Sequence, residues 1–185
     1  MLVTIVIVVG VLLASLLAFA ATRPNTFLVS RSQNMQATPD RIYAILEDFH
    51  NWTQWSPYEK LDPAMKKTFS GSSKGKGAIY QWAGNSKAGE GRMEIIEAAA
   101  SKLVKIKLDF LKPFEGHNTS EFRIDGHGGA TEVTWAMYGP QGFVFKLMSI
   151  FCSMDKLLGK DFETGLSNLK SIAEGKTAVA ANGAH

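Results

Sequence analysis

Apolar residues recur along this chain with three different rhythms, and each rhythm predicts a different kind of element. Residues 2–21 read LVTIVIVVGVLLASLLAFAA and carry no charge. At about 1.5 Å rise per residue they span about 30 Å as a helix, the thickness of a bilayer's hydrocarbon core. Thr4 and Ser15 are tolerable there because a hydroxyl can bond back to its own helix. The rival reading is a cleaved signal peptide, since Ala18-Phe19-Ala20 has a small-x-small pattern. No charged side chain precedes the apolar run, however, so a retained anchor is expected over residues 1–22.

Residues 25–36 mix β-formers with polar residues, as an entry strand with one wet face does. Thr38-Pro39-Asp40 then supplies a helix start: a capping hydroxyl, a proline in the first turn, and an acid near the positive dipole end. Ile42, Ala44, Ile45 and Phe49 keep helical spacing, so a short helix is predicted to about Asp48. Five β-like runs follow, over residues 75–83, 91–98, 103–111, 118–125 and 131–138, separated by turn signals. Val104, Ile106, Leu108 and Phe110 alternate with Lys105, Lys107 and Asp109, and Phe122 and Ile124 alternate with Glu121, Arg123 and Asp125. Such alternation gives a sheet one buried and one wet face, and the short connections make it an antiparallel meander.

From Phe143 to about Glu174 the apolar step changes to three or four residues, through Leu147, Phe151, Met154, Leu158, Phe162, Leu166, Leu169 and Ile172. This predicts a long amphipathic helix, kinked or split near Ser153 or Gly159. Residues 175–185 are small and polar and are expected to be disordered, which leaves 23–174 as the globular domain. A twisted sheet with one apolar face needs a cover, and the last helix is the long amphipathic element available. The sheet should therefore curl around it. A curled sheet and a straight helix cannot touch along their whole length, so an apolar gap able to hold a ligand is expected between them.

Composition adds little to this α+β picture. The 185 residues suffice for one domain with a sizeable core. A net charge of +3 calls for no nucleic-acid partner. Six lysines against the single acid Asp62 between Lys60 and Lys87 read as a solvated face, with contact to anionic headgroups as the alternative. Cys152, among Ile150, Phe151 and Met154, is expected to be a buried, inert thiol. Arg23 and Arg31 follow the apolar helix, and the positive-inside rule then makes the chain a single-pass membrane protein with its domain in the cytoplasm, an extracytoplasmic domain being the alternative.

Several stretches resemble the polyketide cyclase/dehydrase-type branch of the START-related SRPBCC superfamily, which has the helix-grip fold of the birch-pollen allergen. They are DFHNWTQWSPY (residues 48–58), GEGRM (89–93), FLKPF (110–114), TEVTW (131–135), and MDK through GKDFE to Gly165-Leu166 on the last helix. The resemblance covers about residues 27–174. It implies a curved antiparallel sheet gripping the C-terminal helix, and it places the segment carrying Trp52 and Trp55 at the mouth of a cavity. A structural aromatic plug is the alternative role for that pair.

Candidate ligand-binding residues are then Trp52, Trp55, Tyr58, Tyr80, Trp82, Phe110, Trp135, Met148, Met154 and Phe162, although those on strands and the last helix could equally be core filling. Tyr80 and Trp82 share one side of their strand, as do Val133, Trp135 and Met137. Chemistry is sparse. His50, His117, His127 and His185 are not spaced as metal ligands, and there is no phosphate loop or nucleophile motif. No metal or cofactor is expected. The catalytic candidates are His50 and Glu121, and Glu90 and Glu94 are further strand carboxylates that could act as acid or base if buried. The reading that follows is a membrane-tethered module for a lipid or other apolar small molecule, anchored in the bilayer by residues 2–21. An enzyme acting on a polyketide-like substrate and a non-catalytic interaction or stress protein with a self-filled cavity are the alternatives.

Overall fold

A computed structural model describes residues 1–150 and 153–175. The chain opens with helix α1 (Leu2–Thr22), long and apolar enough to cross a membrane and unburied along its most apolar stretch. Ser15 turns back onto the helix as expected, its Oγ donating to the Val11 carbonyl at 2.8 Å, and Thr22 Oγ1 donates to that of Phe19 at 2.7 Å. Three residues separate α1 from strand β1 (Thr26–Met35). Helix α2 (Pro39–Leu46) follows, capped by Thr38 and burying Ile42 and Leu46, and two 3₁₀ turns, Phe49–Gln54 and Pro57–Lys60, continue the chain.

Six strands come next: β2 (Lys66–Gly71), β3 (Ala78–Ala83), β4 (Glu90–Ala99), β5 (Leu103–Lys112), β6 (Gly116–His127) and β7 (Ala130–Pro140). With β1 they form one antiparallel seven-stranded sheet in the order β1-β7-β6-β5-β4-β3-β2. The first strand pairs with the last, Thr26 opposite Pro140 through Met35 opposite Thr131. Strand β2 departs from expectation. Its sequence KKTFSG has too few apolar positions to alternate convincingly, because it is a largely exposed edge, where lysines also discourage pairing with other chains. Residues 75–77, expected to begin β3, instead turn, with Gly75 and Gly77 at φ 66° and 87°.

The expected long helix is two helices, α3 (Phe143–Met148) and α4 (Met154–Ala173), and the break falls at one of the two places predicted: Ser153 caps α4 by accepting from the Lys156 amide. Gly159, the other, lies within α4, where its missing side chain leaves room for Arg31 of β1 to cross. The Arg31 guanidinium meets Asp155 and Glu163, each at 2.7 Å, clamping α4 to the sheet. Helix α4 buries Phe162, Leu166, Leu169 and Ala173, each large side chain contributing about 1.5–3 kcal/mol. Gly165 lets the helix approach the Trp135 ring, which a Cβ there would meet at 2.7 Å. The sheet's apolar face carries the core, including Val104, Ile106, Phe122, Ile124, Val133 and Trp135. Helix α1 packs on α3, and Arg23 donates to the Ser149 carbonyl at 3.2 Å. Cys152, Phe151, His185 and residues 176–185 lie outside the described residues.

Candidate functional site

Helix and sheet do not meet everywhere. Where Phe162 lies on Trp135, ring centroids 4.1 Å apart and planes within 3°, the layers are solid. Further along the sheet a cavity of about 230 Å³ opens. Strand alternation supplies its floor: Tyr80 and Trp82 from β3, Met93 from β4, Leu108 and Phe110 from β5, Ser120 from β6, and Trp135 and Met137 from β7. Trp52, Tyr58 and Glu59 from the two 3₁₀ turns and Ser56 between them cover it, with Leu158 of α4. Leu61, Met65, Lys87 and Ala88 complete the wall, and Leu61 and Lys87 are its exposed members, so the mouth lies between the loop after the second 3₁₀ turn and the β3–β4 turn. Asp62 joins these two loops, accepting from the amides of Ala64 at 2.9 Å and Asn85 at 2.7 Å.

The indoles turn carbon toward the cavity because their N–H groups are engaged elsewhere. Trp52 Nε1 donates to the Leu46 carbonyl at 3.1 Å, Trp82 Nε1 to that of Ala88 at 3.0 Å, and Trp135 Nε1 to Ser120 Oγ at 2.9 Å. Gly91 makes the Trp82 position possible: the ring lies over it, and a Cβ there would stand 2.3 Å from two ring carbons. Trp82 meets Phe110 edge-on at 5.9 Å across this glycine.

One carboxylate interrupts the wall. Glu59, its side chain 7 % exposed, accepts from the Tyr80 hydroxyl at 2.7 Å and pairs with Lys67 Nζ. Burial first, and then Glu59, holds the Tyr80 phenol far above its ordinary range. Burial, with the charge of Asp161 second, does the same for Tyr58. Both phenols therefore stay neutral.

Six of the ten predicted ligand residues line this cavity: Trp52, Tyr58, Tyr80, Trp82, Phe110 and Trp135. Four do not. Trp55 is fully buried among Trp52, Phe122 and Trp135, at 4.9, 5.8 and 5.6 Å, in the plug role that was its alternative. Phe162 is core, stacked on Trp135. Met154 packs half-buried against the core, and Met148 is exposed on α3.

The catalytic candidates also lie elsewhere. Ser120 and Phe122 face inward, so Glu121 points to the outer face of the sheet, where Arg123 Nε (2.5 Å), Tyr138 (3.2 Å) and Lys105 (3.4 Å) surround it. Burial alone would raise its pKa, but the bonds and charges of these cations hold it below the usual carboxylate range. His50 is an exposed ring stacked on Phe69 at 4.2 Å and bonded to Asp48 at 2.7 Å. His117 sits outside on Asp109, at 2.7 Å. Glu90 and Glu94 pair with Lys112 and Arg92 at 2.9 and 2.7 Å.

The residues that sequence reasoning missed are of two kinds. Met93, Leu108 and Ser120 share the inward parity of residues that were found, so the strand register would have located them. Ser56, Glu59, Met65 and Lys87 come from loops and a 3₁₀ turn, where no period betrays direction, and Leu158 belongs to the apolar stripe of α4, which does not say which member borders the space. Among the described residues no group of three or more His, Cys, Asp and Glu side chains is placed to hold a metal ion.

Residues 26–174 match the family described as polyketide cyclase / dehydrase and lipid transport. No curated protein matches the chain. Solved structures share its fold. A Staphylococcus epidermidis protein is 13% identical with TM-score 0.58, covering 89% of this chain and 97% of its own. The Aha1 dimer from Colwellia psychrerythraea is 15% identical with TM-score 0.55, covering 80% and 96%. Ara h 8.0201 is 10% identical with TM-score 0.52, covering 81% and 96%. At these identities the likeness is one of fold.

Proposed function

Because the chain belongs to the polyketide cyclase / dehydrase and lipid transport family, we propose that it is a membrane-tethered module that holds a small apolar molecule, lipid or otherwise, between sheet and helix. The observation that carries this reading is the cavity wall, built of aromatic and thioether side chains whose indole N–H groups are already engaged within the protein. Its volume of about 230 Å³ lies below the roughly 300–1,000 Å³ usual for drug-sized ligands. A compact ring system or a short chain suits it better than a whole two-chain lipid. Binding is favoured over turnover because His50 and Glu121 lie outside the cavity.

The tether is α1, and Arg23 and Arg31 are the first cations that follow it. A domain facing the cytoplasm follows from the positive-inside rule.

Native mass spectrometry of the full chain extracted from membranes tests both parts. The expected result is a protein mass that includes residues 2–21, with a small apolar adduct that is lost when Leu108→Trp fills the cavity. A mature protein beginning near Ala21 would refute the tether. An adduct retained by the filled variant would refute the cavity as its seat.

A further inference from the structure

The reading above leaves the ligand's chemistry open, and the carboxylate in the cavity wall narrows it. Glu59 is the carboxylate that lines the cavity, and its partners occupy only part of its capacity. One oxygen accepts from Tyr80 and the other faces Lys67. A carboxylate offers about four acceptor sites, so further donors can be taken. The Tyr80 hydroxyl, having donated its proton to Glu59, also presents only acceptor lone pairs. The indole N–H groups of Trp52, Trp82 and Trp135 bond within the protein and Lys67 is held by Glu59, while the hydroxyls of Ser56, Tyr58 and Ser120 in the same wall can donate or accept. Lys87, the cation of the wall, is exposed at the mouth. A ligand group that reaches the Glu59–Tyr80 pair thus meets acceptors and negative charge.

We propose that this cavity selects an apolar molecule bearing a neutral hydrogen-bond donor, such as an alcohol or phenol, whose O–H donates to the Glu59 carboxylate, and that it rejects the corresponding carboxylate anion. The proposal rests on the cavity being a ligand site. An unpaired anion beside Glu59 would be desolvated next to a like charge, which is strongly unfavourable. A hydroxyl that reaches Glu59 gains a charge-assisted bond.

The test uses the full chain in lipid nanodiscs, with empty nanodiscs subtracting partition into lipid. Naphthalene, 1-naphthol and 1-naphthoate are titrated while tryptophan fluorescence is read. Naphthol is expected to bind at least about tenfold more tightly than naphthalene, the ratio for one bond to a charged group, and naphthoate most weakly. Glu59→Gln removes the negative charge and leaves Lys67 without its counter-ion. It should narrow the naphthol preference and strengthen naphthoate binding, a gain that misfolding cannot produce. Tyr80→Phe frees an acceptor site on Glu59 and should keep the preference for naphthol. Equal affinities for naphthol and naphthalene, tightest binding of naphthoate by the unaltered chain, or a Glu59→Gln variant with the unaltered ranking would each overturn the proposal while leaving the apolar cavity standing. Failure of all three probes to bind would remove the cavity reading itself.

Discussion

Gly91→Ala is the smallest change that tests how the cavity wall is assembled. The added carbon would stand 2.3 Å from Trp82 Cζ2 and Cη2 and 2.6 Å from the Asp109 carbonyl oxygen, whereas carbon atoms rest at about 3.5–4.0 Å. The ring must therefore shift by more than about 1 Å. It is not free to do so, since its N–H is held by the Ala88 carbonyl at 3.0 Å and it packs T-shaped against Phe110. Overpacking costs about 1–3 kcal/mol, and loss of the indole hydrogen bond adds about 0.5–1.5 kcal/mol. A total near 2–3 kcal/mol corresponds to a fall in Tm of roughly 4–12 °C for a domain of this size. Near-UV circular dichroism reports both the melt and the displaced indole, and 1-naphthol uptake should fall in parallel. Gly142→Ala is the matched control, because a Cβ there meets nothing within 4 Å and its melting point should hardly move. A Gly91→Ala protein melting within about 1 °C of the unaltered chain, with its indole signal intact, would refute the account of Trp82 as a wall fixed over a glycine.

Two further predictions concern the mouth and the outer face. Asp62→Ala removes the carboxylate that joins the two mouth loops and leaves the Asn85 amide without its acceptor; it should cost about 1–3 kcal/mol and speed both entry and release of a bound probe in stopped-flow exchange, and unchanged exchange rates would count against the staple. The Asp109 hydrogen bond holds His117 above its ordinary pKa. Burial would raise Asp109, yet its bonds to His117 and Lys107 leave it below the carboxylate range. The His117 contribution is therefore complete below its unfolded value of about 6.5 and lost as pH rises through the higher folded value. The Asp109 contribution runs the other way and disappears in acid. Denaturant melts from pH 5 to 9 should show the loss on the alkaline side, and His117→Gln should flatten it; an unflattened profile would place the titrating group elsewhere.

The sequence reached much of this architecture through periodicity, and its failures follow from where periodicity ends. Strands β5 to β7 alternate because one face is core, so the parity of Trp135 and Phe110 was legible. The same parity put Glu121 outside, since Phe122 and Ile124 had claimed the inner face. Strand β2 was invisible because an edge with little apolar cover has no reason to alternate. On α4 the apolar stripe was legible, but which of its members would touch sheet and which would border space was not. That depends on the distance between helix and sheet, set by Gly165 under Trp135 and by Arg31 across Gly159, and a stripe does not encode that distance. Glu59 escaped notice because a short 3₁₀ turn offers no face to predict.

The junction after α1 has a consequence for where this domain works. Three residues join it to β1, a leash of about 10 Å even when stretched, and its contacts with α3 and the Arg23 bond to Ser149 shorten that freedom further. Anchored in lipid, such a domain does not roam the surrounding solution to collect or deliver cargo. On the proposed reading it would stay near the headgroup plane, and a ligand entering or leaving the space under Leu61 and Lys87 would be handed over at that surface.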